Sequence, residues 1–237
     1  MHPTRGLLPK VCKARKMDIG ILGGTGPAGK ALAARLASVG MSVSIGSRSA
    51  ERGEETASQL REKWASRKLD LHGAANETAC EADVVVVATP WDGAAHTVAA
   101  LASHLEGKVV VSMANALFKV GDDIEAVVPA RGSLCVAVQD AAPRALVSGA
   151  FHHLPARGLA NLEVPLDADV LVCSDHPAAT KATIELVNRI PGCRGVDAGT
   201  LSAAAAIEAF TAVLIGVNIR HRAHASIRLT GLNSEGA

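Results

Sequence analysis

Apolar residues fall in short unbroken runs, and between the runs they recur at intervals of three or four positions. Ile19, Ile21 and Leu22 form the first run. Ser42 to Ile45, Leu69 to Ala74, Val84 to Ala88 and Lys108 to Ser112 form the next four. Runs this short and this uniformly apolar read as strands buried on both faces. The stretches between them read as helices: one rich in alanine and leucine that ends at Val39 before Gly40, a polar one over Ala50 to Trp64, a short one at Ala79-Cys80, and one over Ala94 to Leu105. Strand and helix patterns alternating in this way predict βαβ units and a parallel sheet.

The rhythm changes after the fifth strand. A helix over Ser133 to Ala141 leads to a strand, Ala145 to Ala150, then a loop through Leu166, a strand over Asp169 to Ser174, a helix over Ala178 to Ile190 and a short strand around Val196. The last element is one long helix. Ile207, Phe210, Leu214 and Val217 give it an apolar stripe, with Val213 beside it. Its most apolar part, Ala203 to Val217, contains Glu208 and Thr211 and is too short to cross a bilayer. Residues 1–16 are basic but lack the apolar core of a signal peptide, and read as a disordered extension. The expected organisation is therefore an α/β domain over 17–199 and a C-terminal helical region over 200–237.

Glycines then specify the ligand. Gly24, Gly26 and Gly29 fit G-x-G-x-x-G between the first strand and the first helix. There they permit a tight turn, approach of the backbone to a pyrophosphate and close helix–strand packing. The pyrophosphate would sit on the free N–H groups at the helix N-terminus. The fold expected is a doubly wound, Rossmann-type α/β fold with a mostly parallel sheet and a small C-terminal helical region. At the tip of the second strand an NAD site would carry an acid for the ribose hydroxyls. Here Gly46-Ser47-Arg48 stands there, with Arg52 one helical turn on. A hydroxyl and a guanidinium suit a 2′-phosphate, so the cofactor expected is NADP.

Composition narrows the class further. With 24 Lys+Arg against 23 Asp+Glu and only 2% aromatic residues, nothing favours a nucleic-acid or membrane partner. The five cysteines are scattered without a C-x-x-C, which fits reduced thiols in a cytoplasmic protein. No ligands cluster along the chain as a zinc site would require, so no metal is expected. Three readings stay open on these grounds: a hydride-transferring reductase, a reductase of another small substrate such as an imine or ketone, and a non-catalytic NADP sensor.

The chain also resembles a known family, the coenzyme F420:NADP oxidoreductases. The likeness runs from Met17 to about Leu232. It rests on ILGGTGPAGKALAARLA, on IGSR, on Thr89-Pro90-Trp91, on the HHLPA sequence of His152 to Ala156 with Ala160-Asn161-Leu162 after it, on Asp197-Ala198-Gly199 and on IRLTGL at Ile227 to Leu232. The resemblance implies reversible hydride transfer between NADPH and the deazaflavin coenzyme F420. Carried over by position, Thr25, Gly26, Pro27 and Ala28 would hold the pyrophosphate, and Ser47, Arg48 and Arg52 the 2′-phosphate. Thr89, Asn115 and Ala156 would line the ribose and nicotinamide. The deazaflavin would lie against HHLPA and the last helix, near Thr211 and the Ser226-Ile227 backbone, with His152 and Thr211 at the reacting ring. Arg222, His224 or Arg228 would meet the anionic tail of the coenzyme. A homodimer is expected.

Overall fold

The computed structural model describes residues 17–121 and 123–232; the expectation for residues 1–16 lies outside them. In chain order the elements are β1 (Asp18–Leu22), α1 (Pro27–Ser38), β2 (Ser42–Ser47), α2 (Ala50–Lys63), β3 (Leu71–Ala75), α3 (Asn76–Ala79), β4 (Val84–Val87), α4 (Trp91–Ala100), β5 (Val109–Ser112), β6 (Leu117–Val120), β7 (Asp123–Ala126), α5 (Leu134–Ala141), β8 (Leu146–Gly149), α6 (Ala156–Ala160), β9 (Ala168–Ser174), α7 (Pro177–Asn188), β10 (Cys193–Asp197) and α8 (Ala204–His221).

Eight strands form one sheet in the order β10-β9-β8-β5-β4-β1-β2-β3. The six from β3 to β8 are parallel, β9 runs antiparallel to β8, and β10 is parallel to β9. This is the doubly wound, Rossmann-type sheet expected. The valine run of β4 shows why the strands read as continuously apolar. Val84 and Val86 belong to the core on one face of the sheet, Val85 and Val87 to the core on the other, so neither parity is free to be polar. The chain leaves β1 toward β2 on one side and reaches β4 on the other. The crevice beyond the carboxyl ends of β1 and β4 is thus the switch point at which such sheets bind ligands.

Several elements differ from expectation for identifiable reasons. Helix α4 starts at Trp91 because Pro90 is its N-cap and cannot itself continue a strand. The segment after Ala116 makes a small hairpin, β6–β7, turning at Gly121 with φ +58°. Its strands are mostly exposed, so no apolar run announced them. The loop after HHLPA contains α6, which is anchored by Arg35. From the last turn of α1, the buried Arg35 guanidinium donates to the carbonyls of Leu159 (3.1 Å), Val164 (3.2 Å), Gly158 (2.9 Å) and Asn161 (2.5 Å).

The stripe expected on the last helix is divided. Ile207 and Leu214 are buried, but Phe210 and Val213 are exposed. The inward face instead carries Glu208 and Thr211, both buried. They face inward because each satisfies backbone groups of a neighbouring element. Counted from Leu201 to His221, the helical segment is 21 residues with a mean hydropathy of 1.7, long enough to cross a membrane by length and composition. It is longer than the stretch read from sequence, and here its polar residues bond to α5 and to the HHLPA loop.

Candidate active site

The β1–α1 turn makes the cradle at the switch point. The residue that needs left-handed backbone is Gly23 (φ +66°), one position before the first glycine of the motif. Gly24 N–H donates to the carbonyls of Ile21 (3.2 Å) and Gly46 (3.0 Å), which draws the turn against β2. A Cβ on Gly29 would lie 2.9 Å from the Gly24 Cα, so a side chain there would push α1 off the turn. Gly26 is the N-cap of α1 and Pro27 follows it, with no side chain capping the first N–H groups. Thr25 lies in the turn, and Ala28 in the first turn of the helix. Those N–H groups and the helix dipole are what a pyrophosphate requires.

Thr89, beside Gly23 at the end of β4, has a buried hydroxyl that finds no partner among the described residues. Such a group is a ready contact for a ligand in the crevice. At the tip of β2 Ser47 is buried, Arg48 is exposed, and Arg52 sits in the first turn of α2. Among the described residues neither arginine has an ion-pair partner. The acids nearby are engaged elsewhere: Glu51 accepts from the Ser49 hydroxyl, and Glu54 bonds Arg61 and the Gly73 N–H. The tip of β2 therefore has two uncommitted guanidiniums where a 2′-phosphate would stand.

A cavity of about 780 Å³ opens next to this cradle, with Ala28 of α1 on its wall. The HHLPA loop from Phe151 to Arg157, the Met113–Asn115 loop and the inner face of α8 form the rest. Phe151 holds φ +66°, a costly conformation for an aromatic residue, while its side chain is buried. That turn points the His152 carbonyl at two side chains. Asn115 Nδ2 donates to it at 2.8 Å and Thr211 Oγ1 at 3.1 Å, joining the β5 loop and α8 to HHLPA.

The rings of the two histidines do other work. His153 Nε2 donates to the Asp169 carbonyl at 2.8 Å. The His152 imidazole is 3% exposed and turned to Cys135 of α5, with Nε2 3.5 Å from Sγ. Burial, then the neighbouring His153, pushes its pKa down to about 3. A ring held neutral in this way brings no positive charge to the cavity, which His152 nonetheless lines. Thr211 and Asn115 do border the cavity, as does Ala156 at the start of α6.

The C-terminal segment also sits differently from expectation. Ser226 donates to the Asp167 carbonyl (2.7 Å), and the Ile227 carbonyl accepts from Asp169 N–H (2.8 Å). Ser226 borders only a smaller adjoining cavity of about 300 Å³, and Ile227 borders neither. Arg228 is committed to Asp167 and Asp169 and is unavailable for a tail. Arg222 and His224 line the main cavity together with Arg157, which sequence reasoning missed. Glu208 was missed too. Its oxygens accept from Leu134 N–H (2.9 Å) and Cys135 N–H (3.0 Å), holding the N-terminus of α5. The one signal was an acid standing alone in an apolar helix.

Comparison with known proteins gives a consistent picture. Residues 18–116 match the family described as NADP oxidoreductase coenzyme F420-dependent. The F420-dependent NADP reductase of Methanocaldococcus jannaschii is 38% identical over 222 residues, covering 91% of this chain and 99% of that protein. The enzyme of the same name from Methanothermobacter thermautotrophicus is 34% identical over 230 residues, with 93% and 97% covered. Among solved structures, one from Arthrobacter sp. FB24 assigned as an F420-dependent NADP reductase superposes with a TM-score of 0.70 at 28% identity, over 86% of this chain and 93% of that one.

Proposed function

The chain belongs to the F420-dependent NADP reductases, and from that premise we propose how its residues divide the work of one reaction. The enzyme transfers a hydride reversibly between NADPH and the deazaflavin coenzyme F420. The observation that carries this reading is contiguity: a glycine cradle at a helix N-terminus opens directly into a mostly apolar cavity through Ala28. Two bound rings brought face to face need little acid–base chemistry from the protein, which must fix their distance and exclude water.

Thr25 and Ala28 offer their backbone N–H groups to the pyrophosphate, in a turn that Gly24 and Gly26 shape and with Pro27, which has no N–H, opening the helix, and the Thr89 hydroxyl meets the adjoining ribose. Ser47, Arg48 and Arg52 select the 2′-phosphate. Asn115 and Thr211 hold the HHLPA backbone in the conformation that shapes the ring slot, with Leu154 to Ala156 as its apolar side and Leu214 and Asn218 facing them. Arg157, Arg222 and His224 stand at the mouth, where an anionic tail leaves the ring. Ser226 and Ile227 act at one remove, by tying the end of the chain to β9.

A second copy of the chain covers the exposed face of α8. Phe210 and Val213 there are exposed, as are Phe118 and Val120 of the hairpin whose β7 packs on α8, and large exposed apolar side chains of this kind suit a subunit contact. The protein works in the cytoplasm. The test of the reaction is isotopic: NADPH deuterated at the transferring carbon should pass its label to F420, seen by mass spectrometry. Label kept in the nicotinamide whichever of the two C4 hydrogens is deuterated, or lost to solvent, would refute direct transfer.

A further inference from the structure

Behind the HHLPA loop, four side chains meet that no step of hydride transfer uses. We propose that Cys135, Cys173, His152 and Glu208 form a buried site for a divalent cation of the zinc class. Cys135 lies on α5, His152 in the HHLPA loop, Cys173 on β9 and Glu208 on α8. One donor atom from each of Cys135, His152 and Glu208 falls within 4.8 Å of the others, and all three residues are buried. Cys173 lies outside that mutual distance, but its Sγ faces the same point as Cys135 Sγ and His152 Nε2. A Cβ placed on Gly149 would lie 2.6 Å from Cys135 Sγ, 3.0 Å from Cys173 Sγ and 3.1 Å from His152 Nε2. Glycine at that position is what lets both thiols and the imidazole face one another.

The spacing suits tetrahedral coordination. Zinc–sulfur and zinc–nitrogen bonds of about 2.3 and 2.05 Å at the tetrahedral angle put the two ligand atoms about 3.6 Å apart. Cys135 Sγ and His152 Nε2 are 3.5 Å apart. The Glu208 donor atom lies within 4.8 Å of the other two and has to close by on the order of 1 Å to reach bonding distance. The donor set of thiolate, imidazole and carboxylate is what zinc prefers over calcium or magnesium.

The surroundings are those of ligands held from behind. Glu208 accepts from two backbone N–H groups of α5. His152 Nδ1 is buried, has no partner in good hydrogen-bond geometry and lies beside the Ala114 carbonyl. A ligating histidine donates its far N–H to such a carbonyl. On binding, both thiols lose their protons to solvent and Glu208 is ionised, and the cation offsets two of the three negative charges. With four protein ligands the site is closed and structural. It would pin α5, β9 and α8 to the HHLPA loop behind the ring slot.

The test needs no turnover. Untagged protein made in zinc-supplemented medium is assayed for metal by mass spectrometry, then stripped with chelator and titrated with zinc and cobalt. About one zinc per chain is expected, with a thiolate-to-cobalt charge-transfer band and a rise in melting temperature when zinc is restored. Cys173→Ser, which keeps the Glu208 contact to α5, should fall below about a tenth of a zinc per chain, and Cys135→Ser likewise. Wild-type protein with less than about a tenth of an equivalent, no cobalt band and no thermal response would overturn the site. So would an intact mass showing Cys135 and Cys173 joined as a disulfide in protein purified without oxidant.

Discussion

The Arg194 guanidinium holds both oxygens of the fully buried Asp169 carboxylate, Nε at 2.9 Å and Nη2 at 2.6 Å. Arg228 adds a third bond at 2.8 Å, and Leu229 N–H a fourth at 2.6 Å. One acid on β9 thus fixes the segment at Arg228 and Leu229. Removing one partner of a buried ion pair leaves the other uncompensated. Asp169→Asn should cost about 3–5 kcal/mol in urea unfolding and expose residues 222–232 to protease. Unchanged stability and protection would show the clamp to be ornamental.

Acid should weaken the fold in a predictable window. Its arginine partners hold the Asp169 carboxyl well below the usual range, and burial holds His152 near 3 and His153 below its ordinary value. In each case the unfolded chain binds protons that the folded chain refuses, so stability rises with pH. It is complete above about pH 6.5, declines from there toward pH 3 as the unfolded histidines charge, and falls again below about 4 as unfolded Asp169 protonates. His152→Gln should flatten the upper part of that decline. An unaltered slope would mean the ring is not buried neutral.

Arg35 ties α1 to α6 through four carbonyls. Arg35→Met preserves bulk but leaves those acceptors without a donor, at a cost of about 2–4 kcal/mol. Because α6 follows HHLPA directly, the KM for F420 should rise while NADPH affinity stays within about twofold. Equal losses for both ligands would contradict this division.

Arg48 carries the choice of nicotinamide cofactor. Arg48→Ala should weaken NADPH roughly ten- to a hundredfold by removing a charge-assisted contact, and leave NADH nearly unchanged. Calorimetric titration of both nucleotides decides it. Wild-type protein that binds the two equally well would rule out a 2′-phosphate site at the tip of β2.

The sheet was legible in the sequence because buried parallel strands admit no polar residue on either face, as β4 shows. The cradle was legible because three glycines in fixed spacing leave few other structures. What stayed hidden rests on single long-range contacts. Nothing local announces that Arg35 reaches a loop over a hundred residues on, or that Glu208 holds α5. His152 looked like a site residue because its motif borders the cavity, yet the left-handed Phe151 turns the ring inward and the carbonyl outward. The hairpin at Leu117 to Ala126 escaped because exposed strands carry no apolar run. Ser226 and Ile227 were placed near the ring by their motif, whereas their backbone belongs to the β9 edge.

The most direct test of the central claim is steady-state oxidation of NADPH with coenzyme F420, for wild type and for Thr211→Val and Thr211→Ser. Losing the hydroxyl bond to the His152 carbonyl removes about 1 kcal/mol, so Thr211→Val should lower kcat/KM for F420 roughly five- to tenfold. Thr211→Ser should restore it, and NADPH binding should not change in either variant. Turnover of free flavins or imines with none of F420 would contradict the account.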